Sequence, residues 1–304
     1  MSNRWWEIKV SCEPNLEESV FWRLEKFGCS GTATENNGKI SFIRAYIPDI
    51  KVREIDLAAL SFWLRQDAVL LAIPEPVMEW GLLDEEDWSS SWKQHWEPIE
   101  VGDRFLVNPA WLDPPANSDR LIITIDPGTA FGTGTHPTTQ LCLESLEIRL
   151  SNRAEEQTVA DIGCGSGILS IGAILLGARK VYAVDTDPLA VNASRSNRHL
   201  NHVNPEKLSI NEGSAGELLE IIPDGVDGIV CNILAETIVE ILPGLTLLAR
   251  PKTWGILSGI ILDRVDIVSD ALETNGWEIS ALWKRQEWCC INIRRLDRDG
   301  EMGT

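Results

Sequence analysis

The chain has 304 residues, of which 44% are apolar and 24% charged, and this composition is typical of a globular protein with one large or two ordinary domains. The net charge of −19 argues against a protein that binds nucleic acid through its phosphates and favours a basic partner. The sequence has neither an apolar run of the ~18 residues that a membrane span needs nor the apolar core of a signal peptide. Seven scattered cysteines without a Cys-x-x-Cys pair indicate reduced thiols. We therefore expect a cytoplasmic protein with no membrane segment and no bound metal.

The first part of the chain has the pattern of a small α+β domain. A helix over about 51–66 is expected to bury Ile55, Phe62 and Trp63. The order β-α-β-β-α-β is the ferredoxin-like arrangement, and we predict such a domain over residues 1–78. The predicted elements are a strand over 4–10, a helix that opens at Pro14, strands over 32–35 and 39–43, the helix over 51–66 and a final strand over 68–73.

The second part of the chain follows a predicted linker helix over 79–97. From residue 158 strands alternate with helices, which predicts a parallel doubly wound sheet, and two consecutive closing strands predict an antiparallel edge. We assign residues 98–297 to this α/β domain and 298–304 to a disordered tail. The predicted strands are 158–162, 180–185, 207–210, 226–231, 253–258, 277–284 and 288–295, and the helices are 167–176, 188–201, 235–249 and 262–274.

A glycine-rich turn follows the first strand of the alternating region. Gly163, Gly165 and Gly167 stand at alternate positions just before a helix. Without Cβ atoms the backbone can adopt positive φ angles and a ligand can approach it closely, and the N–H groups of the next helix point to the same place. The turn therefore predicts a ligand site, although a glycine-rich connection without a ligand has the same pattern.

Two acidic residues restrict the kind of ligand. Asp185 ends the next buried strand, where ligands bind in open α/β sheets and where a carboxylate suits the hydroxyls of a ribose. Asp161 would repel the pyrophosphate of a dinucleotide, whereas it can bind the ammonium group of a methionine. The glycine spacing also differs from the dinucleotide fingerprint Gly-x-Gly-x-x-Gly. The pattern resembles that of Rossmann-like methyltransferases, and we expect S-adenosylmethionine (SAM) rather than NAD.

Two further segments lie where a ligand on the glycine turn could reach them. Residues 126–140 are rich in glycine and threonine and precede an apolar helix, so they predict either a loop that folds over the ligand or a long capped turn. Asn232 follows the fourth strand of the alternating region. Its carbonyl oxygen could accept a hydrogen bond from an incoming amine, or it could form an Asx turn that caps the next helix.

These motifs together resemble the PrmA-type ribosomal protein methyltransferases, which modify the eleventh protein of the bacterial large ribosomal subunit. The likeness is strong over residues 80–295, and the N-terminal domain matches in size and strand order. The loop before the apolar helix is more specific than the glycine turn. The matching segments are residues 127–139, 161–169, 185–188, 232–235 and 287–289.

The resemblance implies a two-domain, SAM-dependent enzyme, expected to be a monomer. Residues 1–78 would recognise the ribosomal protein, and residues 98–297 would catalyse N-methylation, up to trimethylation, of lysine side chains and the N-terminal α-amine. Asn232 is the predicted catalytic residue. The residues predicted from the motifs and the resemblance to form the cofactor site are Thr139, Gly163, Asp185, Asn232, Phe131, Gly132, Thr133, His136, Asp161 and Gly165.

Methyl transfer from a sulfonium depends mainly on the positions of the reacting groups. The amine must lose a proton first, and a dry pocket helps because it disfavours the charged form. His136 either accepts that proton or orders its loop. We expect that Asn232 and backbone carbonyls orient the amine and that solvent takes the proton.

Two alternatives differ from this prediction in substrate or in class. The nearer is a methyltransferase that acts on another protein, a small molecule or a nucleic acid, although the Asn-Pro-Pro-Tyr motif of the glutamine-modifying enzymes is absent. The farther is a SAM-binding protein without catalysis.

Overall fold

The computed structural model describes residues 4–36, 40–84, 97–115, 118–126, 132–152 and 154–296. The chain divides into two compact units, Met1–Trp96 and Glu97–Thr304. None of the helices in these ranges is long and apolar enough to cross a membrane. The predicted disordered tail, residues 298–304, lies outside the described residues.

The described residues of the first unit form one four-stranded antiparallel sheet and two α-helices. In chain order they are β1 (Arg4–Cys12), α1 (Glu17–Phe27), β2 (Ser30–Asn36), β3 (Ser41–Pro48), α2 (Glu54–Leu70) and β4 (Val77–Asp84). The strand order is β2-β3-β1-β4, with β1 antiparallel to both of its neighbours. The element order and the pairing confirm the predicted ferredoxin-like arrangement.

The last strand of this unit lies later in the chain than predicted. The prediction of a strand over 68–73 was wrong, because α2 continues to Leu70 and Ala68 is fully buried in it. An apolar run this short does not distinguish a strand from a buried helix turn. The edge strand of the sheet is instead Val77–Asp84, which follows Pro74 and Pro76 and pairs with β1.

Two other predictions for this part of the chain also change. The linker helix predicted over 79–97 was wrong at its start, because residues 79–84 belong to β4, and residues 85–96 lie outside the described residues. The predicted buried face of α2 was wrong as well. Phe62 is 60% exposed, and Leu57, Leu60 and Leu64 face the core instead. These leucines are three and four residues apart and so lie on one face of the helix, which is not the face of the aromatic residues.

The second unit begins with a small sheet of β5 (Ile99–Val101), β6 (Phe105–Pro109) and β7 (Leu121–Ile125), in which β6 pairs antiparallel with β5 and parallel with β7. The rest alternates strand and helix. These elements are α3 (Pro137–Arg149), β8 (Thr158–Ile162), α4 (Ile168–Leu175), β9 (Lys180–Asp185), α5 (Pro188–Leu200), β10 (Leu208–Glu212), α6 (Ala215–Ile221), β11 (Val226–Asn232), α7 (Ala235–Leu248), β12 (Ala249–Ile261), α8 (Val265–Thr274), β13 (Trp277–Arg285) and β14 (Trp288–Arg295).

The main sheet has the order β10-β9-β8-β11-β12-β14-β13. β8, β9, β10, β11 and β12 are parallel, while β14 is antiparallel to both β12 and β13. The predicted doubly wound sheet with an antiparallel edge is therefore confirmed. Because the sheet order reverses direction beside β8, the carboxyl ends of β8, β9 and β11 meet where such folds bind their ligands.

Candidate active site

A cavity of about 490 Å³ opens at the carboxyl ends of β8, β9 and β11. Its wall includes the glycine turn after β8, the ends of β9 and β10, the residues after β11, the start of α3 with the loop before it, part of β12 and the start of β14. Seven of the predicted cofactor residues line it, namely Gly132, His136, Thr139, Gly163, Gly165, Asp185 and Asn232. The strand ends thus bring together residues that are about a hundred positions apart in the chain.

The glycine turn has the backbone geometry that its sequence predicts. Gly163, Gly165 and Gly167 have φ angles of 73°, 54° and 81°, which only glycine adopts readily. Neighbouring atoms also fill the space that a side chain would need. A Cβ on Gly163 would lie 2.4 Å from Cγ2 of Ile233, and a Cβ on Gly167 would lie 2.3 Å from the hydroxyl of Ser194.

Asp185 is held in one orientation by two backbone hydrogen bonds. Its Oδ2 accepts from the N–H of Gly165 at 2.9 Å and its Oδ1 from the N–H of Asp187 at 3.0 Å. Each carboxylate oxygen can accept a further bond. Because Asp185 also lines the cavity, it presents a fixed pair of acceptors to a ligand, as the ribose prediction requires.

Asp161 does not line the cavity. Its side chain is 1% exposed, and Oδ2 accepts a hydrogen bond of 2.5 Å from the hydroxyl of Ser170 in α4. Burial raises the pKa of this carboxyl to about 7. The direct contact predicted between Asp161 and a ligand ammonium is therefore not supported, because this side chain is enclosed between β8 and α4.

The loop before α3 reaches the cavity through Gly132 and His136. His136 caps α3, since its Nδ1 accepts from the N–H of Thr138 at 3.3 Å, and its ring lies edge-on to Trp288 with centroids 4.9 Å apart. Burial lowers the pKa of the imidazole below its ordinary value. Of the two other residues predicted here, Thr133 does not line the cavity and Phe131 lies outside the described residues.

Two residues that line the cavity each carry a buried acceptor atom that lacks a hydrogen bond. The Oγ1 atom of Thr139 and the Oδ1 atom of Asn232 are inaccessible to solvent, and neither has a partner among the described residues. An unpaired buried acceptor of this kind costs about 1–3 kcal/mol. The Asx turn considered for Asn232 is not formed, because α7 is capped at Leu234 without a side-chain bond.

The segment after β11 is held by the neighbouring strand β12. The N–H of Ile233 donates to the carbonyl of Ser258 at 3.1 Å. Gly259 has φ 82°, and a Cβ there would lie 2.2 Å from the carbonyl oxygen of Ile233. The backbone that carries Asn232 therefore rests directly on Gly259, so the position of the amide depends on a close contact that only glycine permits.

Several lining residues were not predicted from the sequence. Gly213 and Ser214 follow β10, and the rule that ligands bind at strand ends could have found them. Trp288 begins β14, an antiparallel strand far along the chain, and only the pairing of β14 with β12 brings it to the cavity. Among the described residues, no group of three His, Cys, Asp or Glu side chains could hold a metal ion.

The comparison with known families decides the class of the protein. The profile of the ribosomal protein L11 methyltransferase (PrmA) family matches residues 4–296. The chain belongs to this family. Curated proteins named ribosomal protein L11 methyltransferase include one from Cyanothece sp. that is 51% identical, over 97% of this chain and all of that protein. Another, from Thermosynechococcus vestitus, is 50% identical over 97% of this chain and 98% of its own length.

A solved structure agrees with this assignment. The crystal structure of a ribosomal protein L11 methylase from Lactobacillus delbrueckii subsp. bulgaricus aligns with a TM-score of 0.59 and 32% identity, over 66% of this chain and all of that chain. The chain is therefore a SAM-dependent protein methyltransferase, and the predicted class, fold and cofactor are confirmed. The NAD alternative is set aside.

The residues of the cavity fit SAM. The glycine turn leaves its backbone open to a ligand, and Asp185 presents acceptors for the two hydroxyls of a ribose. The two unpaired acceptors, Thr139 Oγ1 and Asn232 Oδ1, call for hydrogen-bond donors, which SAM and a substrate amine both carry. We expect Gly163, Gly165, Asp185 and Thr139 to hold the cofactor, and Asn232 to lie beside it and hold the substrate amine.

Proposed function

We propose that this enzyme methylates amines of ribosomal protein L11, namely lysine ε-amines and the N-terminal α-amine, up to the trimethylated state. The observation that carries the chemical part of the proposal is the unpaired Oδ1 of Asn232 in the cavity wall. A neutral amide acceptor at this place can take an N–H from an uncharged amine, whereas a carboxylate would hold the amine in its charged and unreactive form. The family names of its relatives support the target.

The protein contributes position and a dry environment to the reaction. When bound, SAM supplies the electrophilic methyl group. Asp185 and the glycine turn would hold the ribose, and Asn232 would orient the substrate amine. Alignment of two reactants in this way is worth up to about 7–11 kcal/mol. Apolar lining residues such as Ile162, Ile233 and Ile241 lower the pKa of an entering lysine by disfavouring its charge.

The geometry of His136 supports an ordering role over that of a base. Its Nδ1 lies 3.3 Å from the backbone nitrogen and 2.7 Å from the hydroxyl oxygen of Thr138, so this nitrogen of the neutral ring is already engaged. The lowered pKa keeps the ring in this neutral form near pH 7. The contact with Trp288 and the cap of α3 then fix the loop beside the cavity, and we assign the proton of the amine to solvent.

The remaining assignments concern the surroundings of the reaction. A net charge of −19 favours a basic protein substrate and disfavours direct binding to nucleic acid. We propose that the first unit recognises the ribosomal protein, that the enzyme acts as a monomer and that it works in the cytoplasm.

The test uses purified protein, ribosomal protein L11 and methyl-labelled SAM, with mass spectrometry of the product. The proposal predicts mass gains in steps of one methyl group that map to lysines or the N-terminus. The Asn232→Ala variant should lose most of this turnover while it still binds S-adenosylhomocysteine. Bound cofactor without any mass gain would contradict the target, and full turnover by Asn232→Ala would remove this residue from the mechanism.

A further inference from the structure

Asn197 in α5 joins two segments that meet at the active site. Its side chain is fully buried, and its Oδ1 accepts from the N–H of Asp126 at 2.9 Å. Its Nδ2 donates to the carbonyl of Asp126 at 3.2 Å and to the carbonyl of Ser166 at 2.9 Å. Asp126 follows β7, and Ser166 belongs to the glycine turn. One amide group thus links the backbone after β7 to the turn.

Asn201 makes a related set of bonds one helical turn further along α5. Its Oδ1 accepts from the N–H of Thr124 at 2.8 Å, and its Nδ2 donates to the carbonyl of Thr124 at 2.6 Å and to the carbonyl of Asn197 at 2.8 Å. Both asparagines therefore pair with the backbone at the end of β7. Only Asn197 also bonds to the glycine turn.

The same face of α5 supports the turn at a second point. Ser194 lies one turn before Asn197, and its hydroxyl occupies the space beside Gly167 where a side chain would otherwise be. The hydroxyl of Ser166, in turn, donates to the carbonyl of Gly132 at 2.6 Å, and Gly132 lines the cavity. A continuous series of hydrogen bonds thus runs from Asp126 through Asn197 and Ser166 to the cavity wall.

We propose that Asn197 is a positioning residue for cofactor binding: it fixes the carbonyl of Ser166 and thereby holds the glycine turn and Gly132 in the arrangement that accepts SAM. This inference rests on the proposed cofactor site. Peptide groups in a glycine-rich turn have more freedom than others, because no Cβ restricts them. An external bond to the centre of the turn therefore limits the conformations in which Gly163 and Gly165 face the ligand.

The experiment compares Asn197→Ala with Asn201→Ala as the matched control. Both variants lose two hydrogen bonds to the backbone at the end of β7, so both should unfold at a lower temperature. Only Asn197→Ala should bind S-adenosylhomocysteine more weakly in calorimetry, by roughly tenfold, since a lost buried hydrogen bond has about this effect. Its KM for SAM should rise by a similar factor, while kcat at saturating SAM stays within about twofold.

Ser166→Ala is the second variant, because it removes the bond to Gly132 while it leaves Asn197 in place. It should weaken binding of S-adenosylhomocysteine by a few-fold, and this milder change keeps the test valid if Asn197→Ala does not fold. Unchanged affinity in Asn197→Ala, together with lower thermal stability, would reduce Asn197 to a purely structural role. Failure of the unmodified protein to bind S-adenosylhomocysteine would instead overturn the proposed cofactor site itself.

Discussion

Two regions of the cavity wall differ in how their polar groups are satisfied. In the region of the glycine turn and β9, both oxygens of Asp185 already accept backbone N–H groups, so the carboxylate cannot turn away. In the region where β11 ends and α3 begins, Asn232 and Thr139 each carry a buried acceptor without a partner among the described residues. The first region is arranged before the ligand arrives, whereas the second carries an energetic cost that a ligand can remove.

The largest effect is expected at Gly259, which supports the second region. In Gly259→Ala the new Cβ would meet the carbonyl of Ile233 at 2.2 Å, and alanine disfavours the φ of 82°. The segment that carries Asn232 must then move, and a displacement of about 1 Å is enough to lower turnover roughly a hundredfold. Steady-state kinetics with ribosomal protein L11 would measure this loss.

The control for this change is Gly81→Ala in the first unit, since no atom lies within 4 Å of a Cβ placed there. Because the first unit is proposed to recognise the substrate, the comparison is made at saturating ribosomal protein L11, where Gly81→Ala should leave kcat unchanged. If Gly259→Ala also kept turnover within about twofold, the support of Asn232 by β12 would not matter for the reaction.

The next effect concerns the first region. Asp185→Ala removes the acceptors expected to bind the ribose, and hydrogen bonds to a charged group are worth about 1.5–3 kcal/mol. Calorimetry should show affinity for S-adenosylhomocysteine weakened by about ten- to a hundredfold. Asp185→Asn keeps one acceptor oxygen and should lose less. Equal affinity in all three proteins would place the nucleoside elsewhere.

Beneath the glycine turn, the buried carboxyl of Asp161 has one oxygen bonded to Ser170, whereas Oδ1 has no partner among the described residues. Its pKa is about 7 in the folded protein and about 3.9 when unfolded, so the folded state binds more protons between these values. The free energy of unfolding therefore contains a term that falls as pH rises from about 4 to 7. Asp161→Asn lacks this term, so its stability relative to the unmodified protein should rise by about 3 kcal/mol across the window.

Urea unfolding of both proteins at pH 5 and pH 8 would measure this difference. The stability of Asp161→Asn relative to the unmodified protein should be higher at pH 8 than at pH 5. A difference that does not change with pH would mean that the Asp161 carboxyl ionises in the folded protein as it does in the unfolded chain.

The smallest effect is expected for Thr139→Val. Its effect on stability should have opposite signs in the free protein and in the ligand-bound protein. Thr139→Val removes a buried acceptor that has no partner among the described residues, so the free protein should be as stable as before or slightly more stable. The bound state should lose one hydrogen bond, and affinity for S-adenosylhomocysteine should fall by roughly fivefold. Thermal unfolding with and without this ligand measures both effects. A loss of stability in the free protein would indicate that the hydroxyl already has a partner there.

The ends of the strands could be predicted from the sequence because a short apolar run and the polar or glycine residues after it mark the same position. β8 and β9 were predicted with their observed bounds, Thr158–Ile162 and Lys180–Asp185, since buried strands in a parallel sheet are short apolar runs that polar or glycine residues end. The same rule placed Asp185 and Asn232 at the edge of the sheet where they line the cavity. Asp161 was predicted from the glycine pattern rather than from this rule, and its side chain is buried beneath the turn and does not line the cavity.

Other features depend on contacts between distant segments and leave little local signal. Trp288 reaches the cavity only because β14 inserts between β12 and β13, and no pattern around this residue predicts that pairing. The buried face of α2 was misassigned because α2 has apolar residues on more than one face. Helical periodicity alone therefore does not decide whether Phe62 or Leu64 faces the core.

The most direct test of the difference between the two regions measures cofactor affinity and single-turnover rate side by side in Asp185→Ala and Asn232→Ala. Asp185→Ala should lose affinity for S-adenosylhomocysteine but, at saturating SAM, methylate ribosomal protein L11 at close to the original rate. Asn232→Ala should keep most of the affinity and lose the rate. If both variants lost affinity and rate in the same proportion, the division of the cavity into a binding region and a transfer region would be contradicted.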